Sequence, residues 1–317
     1  MSFKVSVPCS TMLLGEHAVL YGHSSVVCAL DYRLQVELKP REDTIINIFS
    51  DQFGEYTTDI GKVCAEKPFQ FVLTAIKFWQ PHLSCGFDLF IRSKILTNVG
   101  LGTSAAITVA VIAVLMKFLE NRIDVESVYR GAATVINSVQ GSGSFADVAA
   151  SIFGGVISYR KKPLYIEPLF YFPEIWLIYL GYKTPTAEVI KKVAEARNKN
   201  PKLYDKLFSK IGGCVDLGTQ ALLTEDWMTL GKIFSAHQKL QQELGVSDAS
   251  STEIISALSS IKTVLGAKIS GSGLGDCIIA LGEIPPHYFP MNKQQKTKEI
   301  KQIKAVITKT GLNDESR

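Results

Sequence analysis

At 317 residues, with 46% hydrophobic, 20% charged and 9% aromatic side chains, the chain has an ordinary globular composition and can bury a substantial core in one large domain or two. The formal net charge is only +4. The basic run Lys293, Lys296, Lys298, Lys301, Lys304 has no aromatic residues between its members, so it reads as the solvated face of a C-terminal helix and argues against a nucleic-acid partner.

The chain opens on Met1-Ser2-Phe3-Lys4 with no secretory leader ahead of the first strand-like stretch. Residues 3–7 alternate like a strand, as do 33–39, which stop at Pro40, and 45–49. Apolar residues recur at helical spacing over 69–79, and 87–91 is a short strand. A glycine turn at 100–104 opens an apolar helix that runs to about Leu119. Its apolar run, 105–116, is short for a bilayer span, so a buried helix and a cytoplasmic protein with no membrane partner are expected. Asp124 reads as the N-cap of a second helix to about Val139, and 153–159 as a turn into a strand.

Lys161-Lys162-Pro163 reads as a boundary, giving an N-terminal domain over 1–162 and a C-terminal domain over 163–317. In the second part a strand at 175–181 leads to Thr184 as an N-cap with Pro185 at the first helical position. Helices dominate to about Leu265. A strand at 267–270, a glycine loop at 270–275 and a strand at 277–281 follow, and a C-terminal helix and a strand near 305–308 finish the chain. Strands and helices mix without a regular βαβα alternation, which makes the class α+β. The six cysteines form no Cys-x-x-Cys pair and the five histidines no His-x-x-x-His pair, which points to reduced thiols and no zinc site.

Three loops carry chemistry. In Gly100-Leu101-Gly102-Thr103-Ser104 the glycines let backbone approach a ligand, and the following helix start presents N–H groups and a positive dipole end to an anion. An ordinary helix cap explains the same residues equally well. Gly141-Ser142-Gly143-Ser144-Phe145-Ala146-Asp147 sets one carboxylate after a flexible loop. Asp147 suits a proton acceptor for an alcohol undergoing phosphorylation, but from these residues alone a cap of the short helix 148–152 is the favoured reading. Gly15-Glu16-His17 and Ser270-Gly271-Ser272-Gly273 are, taken singly, a surface turn and a hairpin.

Read together, Gly15-Glu16-His17-Ala18-Val19, Gly100-Leu101-Gly102-Thr103-Ser104-Ala105-Ala106 and Ser270-Gly271-Ser272-Gly273 resemble, in order, the three signature motifs of the GHMP kinases. The resemblance implies a two-domain α+β fold with the active site in the cleft and MgATP as phosphoryl donor. It implies that Gly100, Leu101, Gly102, Thr103, Ser104, Ala105, Gly271, Ser272 and Gly273 hold ATP, with Ser104 on Mg²⁺. It casts Asp147 as the catalytic aspartate and Glu16, His17, Lys183 and Thr184 as substrate-binding. Gly15–Gly22 is similar to the first motif of mevalonate kinases, so the implied reaction is phosphorylation of mevalonate at its 5-hydroxyl. The segment 140–149 and Gly275-Asp276-Cys277 look more like phosphomevalonate kinases, which leaves phosphomevalonate as an alternative acceptor. A homodimer is compatible with all of this. Two positions depart from the pattern. Ser10 stands where the family carries a lysine, and Ile136 where mevalonate kinases carry a metal-binding glutamate. A non-catalytic metabolite binder would explain both losses. Lys183 is the leading candidate to replace the missing cation; a solvated lysine ahead of a helix is the other reading.

Overall fold

A computed structural model describes residues 2–93 and 100–316. The first half is built around one sheet. Its strands are β1 (Phe3–Leu14), β2 (Ser25–Pro40), β3 (Ile45–Ser50), β4 (Gly54–Asp59), β5 (Phe87–Ser93), β6 (Val156–Arg160) and β7 (Tyr165–Leu169). Its helices are α1 (Gln70–Trp79), α2 (Thr103–Glu120), α3 (Val125–Gln140) and α4 (Ala146–Phe153). The second half has β8 (Ile175–Lys183), α5 (Thr186–Lys199), α6 (Pro201–Leu223), α7 (Trp227–Glu243), α8 (Ala249–Ser259), β9 (Val264–Ser270), β10 (Gly275–Gly282), α9 (Lys293–Thr297) and β11 (Lys301–Ala305). A final short strand, β12 (Asn313–Asp314), returns to the first sheet.

The first sheet runs β12-β1-β2-β5-β3-β4, with β6 also paired to β2 and β7 to β6. It is antiparallel except for β3 beside β5. The second runs β11-β8-β10-β9, antiparallel throughout. Helices α2 and α4 pack on β1, α7 and α8 pack on β9, and α6 touches both β1 and α7. This mixed arrangement is the α+β class expected from the sequence.

β1 is twice the length its alternation suggests. Residues 5–14 are all buried, because α2 and α4 cover the strand. A strand covered on both faces reads as a continuous apolar run, so period two fades after residue 7. β2 shows the same effect. Residues 25–30 are buried without interruption and only 31–40 alternate, so the sequence shows only the second part. α2 is apolar almost all round and buried over 108–116. By length and composition this 18-residue helix could cross a bilayer, but it is packed inside the fold. Asp124 caps α3 as read from the sequence, accepting the Ser127 N–H at 2.9 Å.

Three readings need correction. Lys161-Lys162-Pro163 is the turn of the β6–β7 hairpin, and the chain passes to the second sheet only between Leu169 and Ile175. Thr184 does not cap α5. Its Oγ1 donates instead to the Leu274 carbonyl at 2.6 Å, and Pro185 occupies the cap position. The basic C-terminal run is not one helix face: α9 spans only five residues. Glu299 then turns the chain at φ 56, and Lys301 and Lys304 lie on β11, an edge strand. Ile300 and Ala305 of that segment are buried, so packing against β8 decides the strand, and lysines suit its open edge. All six cysteines are free thiols.

Where α7 crosses β9 the two backbones touch. A Cβ on Gly231 would lie 2.3 Å from the Leu265 carbonyl oxygen, and one on Gly266 would lie 2.2 Å from the Gly231 carbonyl oxygen. Gly231→Ala is therefore expected to lower stability by about 1–3 kcal/mol, the usual cost of overpacking. Urea unfolding reads this as an earlier midpoint, and an unchanged midpoint means that the crossing has slack.

Candidate active site

The three glycine loops and the aspartate loop, distant in sequence, converge on one cavity of about 160 Å³ between the halves. Its walls include Glu16 and His17, Gly100 to Ala105 without Leu101, Asp147, Lys183, Gly271 and Ser272. The sequence reading thus brings eleven of its residues together here: Glu16, His17, Gly100, Gly102, Thr103, Ser104, Ala105, Asp147, Lys183, Gly271 and Ser272. The other three support the loops. Leu101 is buried at 1% exposure, and its carbonyl accepts the Ser10 N–H at 3.0 Å, pinning the phosphate loop to β1. Gly273 backs onto Val246, whose carbonyl oxygen a Cβ would meet at 2.4 Å. Thr184 holds the third loop through Leu274.

Gly102 precedes α2 at φ 62, and no side chain caps or charges that helix's first turn. Gly102, Thr103, Ser104 and Ala105 line the cavity, so the positive end of α2 faces it and makes an anion site. The glycines are also required by their protein neighbours. A Cβ on Gly100 would fall 1.7 Å from Asp276 Oδ1, and one on Gly102 would fall 2.2 Å from Ser10 Oγ and 3.2 Å from Asp147 Oδ1.

Asp147 lies in the first turn of α4, but the cap position belongs to Phe145 at φ 63. The helix-cap reading of Asp147 is therefore wrong: its carboxylate turns inward and accepts a hydrogen bond from Ser10 Oγ at 2.8 Å. Burial pushes this carboxyl up, while the Ser10 hydrogen bond and the Lys183 charge oppose that rise. The loop before it is braced. Tyr159 donates to the Ser144 carbonyl at 2.6 Å, and Lys161 donates to the Gly143 carbonyl at 2.7 Å with its ammonium 4.4 Å from the Phe145 ring centre.

Glu16 and His17 behave differently from each other. Glu16 is 2% exposed, and its carboxylate is hydrogen-bonded by the buried Lys268 ammonium from β9. Burial pushes the Glu16 carboxyl up and the Lys268 ammonium down, and their mutual attraction opposes both. His237 comes within 3.4 Å of Glu16 Oε2, but its Nε2 accepts the Gly15 N–H and burial holds the ring neutral. That contact is not an ion pair. Glu16 thus ties the first loop to the second half. His17, at φ 62, donates Nε2–H to the Ser272 carbonyl at 2.9 Å, and burial favours the neutral ring, which leaves Nδ1 an acceptor. A further link joins Thr11 Oγ1 and Ser270 Oγ at 2.8 Å.

The sequence reading gave no role to Asp276. It is 4% exposed, stands at φ 72, and pairs with Lys183 at 3.1 Å. Its sequence signals are an aspartate directly after the third glycine of a glycine-rich turn and the likeness of Gly275-Asp276-Cys277 to phosphomevalonate kinases, and neither gives it a contact. Ile136 lines the cavity with an apolar side chain, so no carboxylate enters from that point of α3.

Two outcomes test this geometry. Lys268→Met leaves Glu16 buried without its partner and is expected to destabilise the protein by about 3–5 kcal/mol. The double variant with Glu16→Gln should regain part of that in thermal unfolding. If Lys268→Met unfolds like the parent, Glu16 does not depend on the pair. Gly102→Val drives a side chain into Ser10 and Asp147 and is expected to abolish nucleotide binding in calorimetry; parental affinity would reduce the loop to a helix cap.

Comparison with known proteins agrees with this arrangement. The GHMP kinases N terminal domain matches residues 70–155, and the GHMP kinases C terminal domain matches 219–311. The chain is 31% identical over 304 residues to the mevalonate kinase of Archaeoglobus fulgidus, covering 94% of this chain and 99% of that one. Among solved structures, a Lin0012 protein from Listeria innocua superposes with a TM-score of 0.85 at 21% identity, each chain covered fully. The Methanococcus jannaschii mevalonate kinase superposes with a TM-score of 0.79 at 22% identity, over 96% of this chain and 98% of that one. These two likenesses show the fold. With both family domains matched in order and a relative alike along nearly its whole length, the chain belongs to the GHMP kinases.

Proposed function

We propose that this protein transfers the γ-phosphoryl group of ATP to the 5-hydroxyl of mevalonate. The observation that carries this reading is a partly buried carboxylate, Asp147, set in one cavity against the N-terminus of α2. The full-length relative that acts under the name mevalonate kinase directs the choice of alcohol.

The helix start receives the phosphates. A second cavity of about 260 Å³ shares Thr103 and Ser104 with the first and is lined by Phe53, Phe69, Phe71 and Ile107, which suits the flat apolar faces of a nucleotide base. The hydroxyls of Thr103 and Ser104 are hard oxygen donors of the kind Mg²⁺ takes, and Ser104 would hold it. Mg²⁺ bound with the nucleotide neutralises phosphate charge. Asp147 accepts the hydroxyl proton as the new bond forms, and must be ionised to do so. Desolvation raises this carboxyl, and the Ser10 hydrogen bond and the Lys183 charge oppose that rise. His17 Nδ1 is an acceptor for a substrate hydroxyl.

The charge of the cavity favours an unphosphorylated acceptor. Its walls carry the carboxylates of Glu16, Asp147 and Asp276 and, among the described residues, one lysine and no arginine. A second phosphate dianion beside ATP would meet net repulsion there. A protein that merely binds metabolites has no use for an inward-turned, proton-accepting carboxylate beside the phosphates.

A coupled ADP-release assay with mevalonate and 5-phosphomevalonate in parallel tests the acceptor, and turnover of mevalonate is the expected result. Asp147→Asn is expected to retain ATP binding and lower turnover by about 10²-fold or more. Turnover within about twofold of the parent removes Asp147 from the base role.

A further inference from the structure

The cavity carries more negative than positive charge before any nucleotide arrives, and Lys183 is the one lysine or arginine among the described residues that line it. Its position is built. β8 pairs with β10 from Ile175 through Tyr179, but the register shifts between Gly275 and Cys277, so Lys183 stands opposite Gly275 and three residues of β8, Leu180 to Tyr182, face the single Asp276. Such a bulge re-aims the side chain it carries. Beside it Asp276 lies under the phosphate loop, where Oδ1 reaches to 1.7 Å from the place of a Gly100 Cβ and Oδ2 takes Lys183 Nζ at 3.1 Å.

Asp276 is a costly residue. It holds a left-handed backbone, φ 72, that glycine would adopt freely, and its Oδ1 is buried with no hydrogen-bond partner among the described residues. The visible product of these costs is a tethered ammonium beside the turn at Gly100. The Lys183 side chain is 34% exposed, so it faces into the cavity without being sealed in protein. An ammonium has three donors, and a carboxylate at one of them leaves the group able to meet phosphate oxygens. Ser10, the side chain that contacts Asp147 directly, is neutral.

We propose that Lys183, stationed by Asp276, is a catalytic residue whose ammonium binds the γ-phosphoryl group of ATP and stays on it through transfer. This rests on the phosphotransfer reading above. As the acceptor oxygen forms its bond to the γ-phosphorus, the bond from that phosphorus to the ADP oxygen breaks and ADP leaves with the electron pair. The hydroxyl proton goes to Asp147. Lys183 keeps its proton throughout and offsets charge on the oxygens of the group in flight, an effect that is strongest where water is excluded. Asp276 is a positioning residue: it acts through Lys183.

The test uses Lys183→Met, Lys183→Arg and Asp276→Gly, the last compatible with the φ of 72. Calorimetry with ADP and with a non-hydrolysable ATP analogue reads the γ-phosphate contact without any acceptor. Lys183→Met is expected to weaken the analogue by about 10-fold and leave ADP within about twofold, since only the analogue carries the group that Lys183 meets. In turnover, Lys183→Met should lose about 10²–10³-fold in kcat, Lys183→Arg should lose less because charge is kept, and Asp276→Gly should fall between the parent and Lys183→Met. Equal effects of Lys183→Met on both nucleotides, or kcat within about threefold of the parent, overturns the proposal. If the parent ignores mevalonate but Lys183→Met still loses its preference for the analogue over ADP, the acceptor assignment fails and the role of Lys183 stands.

Discussion

The cavity depends on how close the Gly100–Gly102 backbone lies to three side chains. Asp276 fills the space a side chain would need at Gly100, and Ser10 with Asp147 fills it at Gly102. Any side chain at either position would displace a group of the site. Close approach also sets the electrostatics. Two carboxylates lie against the turn proposed to receive phosphates, so anion binding there cannot rest on the helix dipole alone, which is worth only ~0.3–2 kcal/mol. A cation must share the space, and Lys183 is there.

Buried charge also joins the halves. Glu16 and Asp147 come from the first half, while Lys268 and Lys183 come from strands of the second. Each carboxylate is raised by burial and opposed by a lysine from across the cleft. The two lysines differ in exposure, and so in what they can do. Lys268 is fully buried, bound to Glu16 and to the Ile269 carbonyl, and can only hold structure. Lys183 is a third exposed and can meet a ligand. The neutral His237, accepting the Gly15 N–H, adds a link without adding charge. The Thr11–Ser270 hydroxyl pair and the His17–Ser272 hydrogen bond complete a seam of polar contacts between the first and third loops.

Much of this was legible in the sequence, wherever the signal is local. Periodicity marked α1, the second part of β2 and the helices after the glycine loops, and Asp124 marked the start of α3 through its cap. The order and spacing of three glycine loops identified the family, because backbone that must approach phosphate admits few residue types. The loss of charge at Ser10 and Ile136 could also be read directly, since residue identity needs no fold.

What only the tertiary structure decided is which groups face one another. β1 and the start of β2 lost their alternation because helices cover them, so strand length was hidden in an apolar run. Thr184 spends its hydroxyl on Leu274 instead of capping α5, a choice that depends on a loop 90 residues away. Glu16, read as a substrate contact, turned out to be tied to Lys268, and Asp276 emerged as the partner of Lys183. Sequence fixes the chemical type of a side chain and the local backbone preferences around it. Direction, burial and the partner of a charge come from contacts between residues far apart in the chain, which no local pattern encodes.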